Sequence, residues 1–221
     1  MAQPSFGWQD LEDFSLLAAD APWSEFLLGL REVSAETFDL HGPVDDWLGF
    51  VRQWDRTGSG RTWYVVGGEH EGRSYALVGI GALANPDRIT ALASQTGGTV
   101  LGYNYLDMTA DATLTAARGA TLLRFTVESN FGNHSEGERL PGEPGDGLPH
   151  MPSDFASILR AHGFDADAWL ARDQKWGLIW TMLDAKTNPE AHRRLYFGPL
   201  RMRIDHIEQA ALADMMDEEA P

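Results

Sequence analysis

The side chains best suited to acid–base chemistry in this sequence are Glu128 and His134. Glu128 ends a segment in which apolar and polar residues alternate, and His134 lies in the polar stretch that follows. A carboxylate and an imidazole in contact can activate water, because each tunes the pKa of the other. Strand ends that lead into long loops often carry such groups. The pair is a candidate hydrolase site, and the simpler interpretation is a polar strand exit with a solvated histidine.

Other reactive signatures are missing. The sequence has no phosphate-cradling P-loop, no dinucleotide-binding glycine fingerprint, no Gly-x-Ser-x-Gly and no His-Glu-x-x-His. It has no cysteine, and no two of its seven histidines are spaced as local metal ligands. We therefore expect neither a cofactor nor a metal, and a role in binding is favoured over catalysis.

Five residues are candidates for binding. Tyr103 and Asn104 lie on a predicted strand, where Asn104 could face a pocket, water or a covering helix. Asp45 and Asp46 belong to the acidic N-terminal block. Trp176 is one of eight tryptophans, which are buried anchors first and partner contacts where they are exposed.

The charge distribution points to a kind of partner. The formal net charge is −16, with 11 acids and 3 bases in residues 1–60 but 6 and 5 in residues 61–128. Such a surface repels nucleic acid and anionic membranes and can attract a basic protein. The alternative is that the acidity serves solubility alone.

The segment from Trp63 to Glu128 is predicted to form the central sheet. Strands are expected at 61–66, 73–80, 99–106, 111–118 and 121–128, with one helix opened by Asn85 and closed by Gly97. In the last strand, Leu123, Phe125 and Val127 should line a covered face, and Arg124, Thr126 and Glu128 a wetter one. We expect an α+β fold with a mostly antiparallel sheet of about five strands, covered by N- and C-terminal helices.

The flanking segments complete a single predicted domain over residues 1–221. Residues 5–56 are expected to be helical, 129–152 to form a flexible acidic loop, 153–162 to be a helix, and 213–221 to be a frayed acidic tail. Residues 177–182 and 195–204 are compatible with either helix or strand.

The layout resembles an uncharacterised family of small actinobacterial α+β proteins. The resemblance is carried by Gly97-Gly98-Thr99-Val100-Leu101-Gly102-Tyr103-Asn104, by Ala116-Ala117-Arg118-Gly119-Ala120 and by Phe155…Leu159…Gly163-Phe164, within residues 85–165. Some families of similar size and charge are immunity proteins against toxins, so the resemblance implies a binding role and transfers no catalytic residue.

These observations predict a non-catalytic binding or inhibitory protein, of the immunity type, that neutralises a basic toxin or effector. The alternatives are a hydrolase using Glu128 and His134, and a small-ligand sensor using Tyr103 and tryptophans. Because the N-terminus lacks a basic and apolar leader and no long apolar run is present, a bacterial cytoplasmic location is expected.

Overall fold

The computed structural model describes residues 7–33, 37–55, 61–79, 83–109, 111–130, 132–172 and 174–182. The predicted tail at 213–221 and the ambiguous segment 195–204 lie outside these residues. Residues 177–182, for which helix and strand were both open, form part of a strand.

One antiparallel sheet dominates the described chain. Its strands pair in the order β2-β10-β4-β5-β1-β6-β7-β8-β9, and the two-residue β3 adds to β4. The strands are β1 (Asp13–Ala19), β2 (Thr37–Val44), β3 (Trp54–Asp55), β4 (Arg61–His70), β5 (Arg73–Val78), β6 (Thr99–Leu106), β7 (Asp111–Arg118), β8 (Thr121–Ser129), β9 (Gly132–Gly137) and β10 (Lys175–Met182).

The predicted five-stranded α+β fold is therefore wrong, because the fold is dominated by a ten-stranded sheet. The largest error concerns β1, which lies in the middle of the sheet between β5 and β6, within the block predicted to be helical. Residues 14–19 are all buried, so the run Phe-Ser-Leu-Leu-Ala-Ala shows no alternation. A strand covered on both faces cannot be told from a buried helix by periodicity.

Helices cover both faces of the sheet. Face A carries α2 (Trp47–Val51), α4 (Pro152–Ala161) and α5 (Ala166–Arg172), whose apolar residues join Phe14, Leu16, Tyr75 and Tyr103 in one core cluster. Face B carries α1 (Trp23–Val33) and α3 (Pro86–Thr96), which pack with Leu17, Val65 and Leu178 in a second cluster. Since side chains alternate along a strand, neighbouring residues of β1 enter different cores.

The local signals of α3 are confirmed. The Asn85 side chain accepts hydrogen bonds from the Asp87 and Arg88 amides, at 2.9 and 3.3 Å, and Pro86 is the first helical residue. Gly97 closes the helix with φ +69°, a left-handed conformation that glycine adopts without strain. The two ends of this helix are thus specified by short-range chemistry.

The segment 129–152, expected to be a flexible acidic loop, contains strand β9 and a closely held connection to α4. Buried Arg124 forms a bidentate ion pair with Glu143, with Nε and Nη2 each 2.9 Å from a carboxylate oxygen. Arg139 donates to the carbonyls of Pro144, Gly145 and Gly147. Two arginines thus supply the hydrogen bonds that organise a connection rich in glycine and proline.

Candidate binding site

Glu128 and His134 lie on opposite faces of the sheet. Glu128 pairs with Asn133 across the β8–β9 ladder, so the next residue, His134, points the other way. The His134 ring packs near Phe125, with 5.4 Å between ring centroids, and its Nε2 lies 3.8 Å from the Glu136 carboxylate. The sequence pair therefore does not assemble into an acid–base site.

Glu128 instead approaches His150, which the sequence did not single out. His150 Nδ1 lies 3.8 Å from Glu128 Oε2 and 3.9 Å from Asp154 Oδ2, and 3.3 Å from the Leu148 carbonyl oxygen. Because a carbonyl can only accept, that hydrogen bond places the neutral ring's proton on Nδ1. His150 is thus oriented over Glu128 on face A, without a direct hydrogen bond between them.

Tyr103 and Asn104 also point to different faces. Tyr103 is fully buried in the face-A core and stacks on Phe155, with 4.7 Å between ring centroids. Burial is the main cause that raises the pKa of its hydroxyl, and Asp154, Tyr105 and Glu128 add to the rise. Asn104 Oδ1 accepts from Ser15 Oγ at 2.7 Å and from the Ala84 amide at 2.9 Å, so its role here is to hold the start of the α3 connection against the sheet.

The remaining candidates occupy separate places. Asp46 is the N-cap of α2 and accepts from the Gly49 amide at 2.9 Å, and Asp45 is exposed beside it. Trp176 is half-buried in β10, between Pro43 of β2 and Gly67 of β4. These residues form no common cluster with Tyr103 or Asn104.

A depression of about 640 Å³ opens on face A, between the N-terminal segment, α2 and α5. Its lining residues are Gly7, Gln9, Asp10, Trp47, Asp167, Leu170 and Ala171. A Cβ atom placed on Gly7 would lie 3.7 Å from an Asp10 carboxylate oxygen and 3.9 Å from one of Asp167. Two carboxylates thus lie near Gly7, and none of the described residues that line the depression is basic.

The surrounding packing positions the two segments that carry these carboxylates. Trp8 is buried against Phe14 and Phe155, which anchors the turn whose Gly7 amide donates to Asp10 at 2.7 Å. The α5 helix is anchored by the buried Tyr75 hydroxyl, which accepts from the Asp165 amide at 2.9 Å. The two acids come from distant parts of the chain and meet through this aromatic core.

The ionised form of the Asp167 side chain is electrostatically unfavourable in the folded protein. Its pKa is raised above the ordinary value chiefly because the carboxylate is partly withdrawn from water, and next because Asp165 is close. Arg160 and the Trp8 indole N–H act in the opposite direction, although that N–H makes no hydrogen bond within the usual limits. An incoming cation would relieve this cost, and the Trp47 ring offers an aromatic wall suited to it.

Little in the sequence indicates this site. Asp10 and Asp167 were part of the general acidity and were not distinguished from other surface acids. The available signal was a tryptophan beside an acid in two separate segments, Trp8 with Asp10 and Trp169 with Asp167. That pattern indicates a buried anchor next to a held carboxylate, but not that the two carboxylates meet.

Across the described ranges, no group of three or more His, Asp or Glu side chains is arranged to hold a metal ion. None of the helices in the described part of the chain has the length and apolarity required to cross a membrane. Comparisons with protein-family models, with curated proteins and with solved structures found no match to this chain.

Proposed function

We propose that this protein is a non-catalytic binding protein that recognises a basic protein partner, as an immunity-type inhibitor of a toxin or effector would. The observation that carries the proposal is that Asp10 and Asp167 both line a depression in which no described residue is basic. An arginine or lysine side chain of the partner would enter beside Trp47 and neutralise both acids. A cytoplasmic location belongs to the same proposal.

The electrostatic surroundings of the two acids support this function. A surface acid that serves solubility alone is free to remain fully hydrated, whereas the Asp167 carboxylate is partly dehydrated close to Asp165 and Asp10. Placing like charges together in this way disfavours the unbound protein. Binding a cation turns the same arrangement into affinity and specificity.

The test is co-purification from the source cells with the tagged protein as bait. Wild type is expected to recover a stoichiometric partner of high isoelectric point, and Asp10→Asn/Asp167→Asn to lose it. The control is Glu25→Gln/Glu32→Gln, which removes the same charge from exposed positions on α1, over face B. Equal recovery by both double variants would show that general acidity, not the depression, attracts the partner.

The hydrolase alternative loses its basis at the residues proposed for it, because Glu128 and His134 diverge.

A purified recombinant protein gives the second test of the main proposal. Once the partner is identified, Asp10→Asn/Asp167→Asn is expected to weaken binding at least about a hundredfold, as loss of a buried interfacial charge pair does. Unchanged affinity in calorimetry would contradict the proposal.

A further inference from the structure

Among the buried polar atoms of face A that have no hydrogen-bond partner, three are oxygens on strands β6 and β8, which flank β7. They are the Tyr103 hydroxyl, Thr126 Oγ1 and Glu128 Oε2. Tyr103 and Thr126 are fully buried. Buried polar groups are normally hydrogen-bonded, so three orphans in one region call for an explanation.

The sheet register brings these groups together. Tyr103 of β6 pairs with Leu114 of β7, and Leu114 pairs with Thr126 of β8. Tyr103 and Thr126 therefore share one row across the sheet, with Leu114 between them. Glu128 lies two residues further along β8 and therefore points to the same face. The Glu128 and Asp154 charges both add to the rise in the pKa of the Tyr103 hydroxyl, so both carboxylates are in its vicinity.

The exposed His150 ring lies next to Glu128. The His150 side chain is 52% exposed and stands over Glu128, whose own side chain is 29% exposed. The 3.8 Å between His150 Nδ1 and Glu128 Oε2 is too long for a hydrogen bond, so Glu128 keeps an unsatisfied acceptor beneath the ring. Rotation of this exposed ring away from Glu128 would give a ligand access to the Glu128 carboxylate.

The chemistry of the three unpartnered oxygens indicates which kind of ligand they could bind. Each of the three oxygens can accept a hydrogen bond, and one of them is a carboxylate with Asp154 nearby. An anion is excluded by these charges, and the described His, Asp and Glu side chains do not form a metal site. A primary ammonium group carries one positive charge and three N–H donors, which match one carboxylate and two hydroxyl acceptors.

We propose that Tyr103, Thr126 and Glu128 form a binding site for a primary ammonium group, reached beneath His150. The ammonium belongs either to a small free amine or to a lysine side chain or N-terminus of a protein. This site is separate from the Asp10–Asp167 depression and does not depend on the function proposed for it.

The test measures thermal unfolding of the full-length protein in increasing methylammonium chloride, with tetramethylammonium chloride at the same ionic strength as the matched cation without N–H donors. It is done in the Asp10→Asn/Asp167→Asn background, so that the depression does not contribute. Methylammonium is expected to raise the melting temperature and tetramethylammonium not to, since only a ligand of the folded state stabilises it. Equal effects of the two salts would overturn the proposal.

Two isosteric variants localise the effect. Thr126→Val and Tyr103→Phe each remove a buried hydroxyl that has no partner, so both should fold and melt at or above the wild-type temperature. Each is expected to weaken methylammonium binding, and Glu128→Gln to weaken it at least about tenfold. Unchanged methylammonium binding in all three variants would refute the site. A crystal structure in which ordered water satisfies the three atoms, and in which methylammonium at roughly 100 mM does not displace that water, would refute it as well.

A lysine tripeptide with blocked termini and its Nε-acetyl-lysine counterpart distinguish the sources. Tighter binding of the unmodified peptide than of methylammonium supports a protein amine, whereas methylammonium binding without peptide binding supports a small free amine. Binding of the acetylated peptide as strong as that of the unmodified one would overturn the proposal, because acetylation removes the charge.

Discussion

Asp167 illustrates how a single side chain can be retained at a cost to the folded state. Its carboxylate is partly dehydrated close to Asp165 and Asp10, and Arg160 compensates only in part, so its pKa is raised. A raised carboxylate pKa means that the folded protein binds this proton more tightly than the unfolded chain does. The stabilisation from protonation is fully present below the unfolded pKa of about 3.8 and is lost as the pH rises through the higher folded pKa.

Asp167→Asn is therefore expected to raise the melting temperature at pH 7 by about 1–2 °C for a chain of this size, because it removes the ionised form that the fold disfavours. The difference from wild type should shrink towards zero below the unfolded pKa, where both side chains are neutral. Scanning calorimetry between pH 3 and pH 7 measures it, and Glu25→Gln, at an exposed site on α1, is the control. A gain that persists unchanged at low pH would contradict this origin.

Asn104 stabilises the connection to α3 through its side-chain oxygen, Oδ1. Its Oδ1 accepts from both Ser15 Oγ and the Ala84 amide, and Ser15 Oγ in turn accepts from the Leu83 amide at 2.9 Å. Leu83, Ala84 and Ser15 are all fully buried. Loss of this oxygen would leave a buried amide unsatisfied.

Asn104→Ala is expected to lower the free energy of unfolding by about 1–3 kcal/mol, the cost of an unsatisfied buried donor. Urea denaturation measures the loss. Asn133→Ala, at an exposed amide on β9, should change stability by less than about 0.5 kcal/mol. If the two variants were equally stable, Asn104 would not be holding the α3 connection.

Among the elements, the connection from β9 to α4 depends most on one interaction. The side chains of Arg124 and Glu143 are 3% and 1% exposed, and Glu143 Oε1 also accepts from the Leu140 amide at 2.8 Å. Arg124 further donates to Ser135 Oγ and the Gly137 carbonyl of β9. The ion pair thus joins β8, β9 and the connection in one network.

Glu143→Ala is expected to destabilise the protein by about 3–5 kcal/mol, because it leaves a buried guanidinium without its counter-charge. The double variant Arg124→Met/Glu143→Met should recover much of that loss, since it removes both charges and keeps apolar volume. Chemical denaturation of the two variants beside wild type provides the comparison. A double variant as unstable as the single one would mean that shape, not unpaired charge, dominates here.

At the scale of the molecule, the net charge of −16 produces a long-range electrostatic field around the protein. Such a field speeds the encounter with a basic partner and is screened by salt. In the proposed complex, the field is expected to act on association and the depression on the lifetime of the complex.

Association with the proposed basic partner, measured by stopped flow, should slow by at least about tenfold when the salt concentration is raised from roughly 20 mM to roughly 500 mM. Dissociation should change little. Glu25→Gln/Glu32→Gln is expected to reduce the association rate modestly and leave dissociation unchanged. Asp10→Asn/Asp167→Asn is expected to speed dissociation. Dissociation rates that were identical in the two double variants would exclude a specific role for the depression.

Much of the local structure is determined by the sequence by itself. Asn85, Pro86 and Gly97 delimit α3 through a cap, a fixed φ and a left-handed residue, none of which needs a distant partner. The hairpin between β4 and β5 closes at Glu71 and Gly72, both at positive φ, as a two-residue turn prefers. The acidity of the chain is likewise a property of composition.

Long-range packing sets which residues become neighbours. The strand β1 is hidden in the sequence because both of its faces are buried, so the central sheet was underestimated. The register of β8 and β9 separates Glu128 from His134 and brings Glu128 towards His150. Asp10 and Asp167 meet because Trp8 and Tyr75 anchor two remote segments in one core. Local chemistry determines turns and caps, whereas a site made of distant residues exists only after long-range packing has chosen their neighbours.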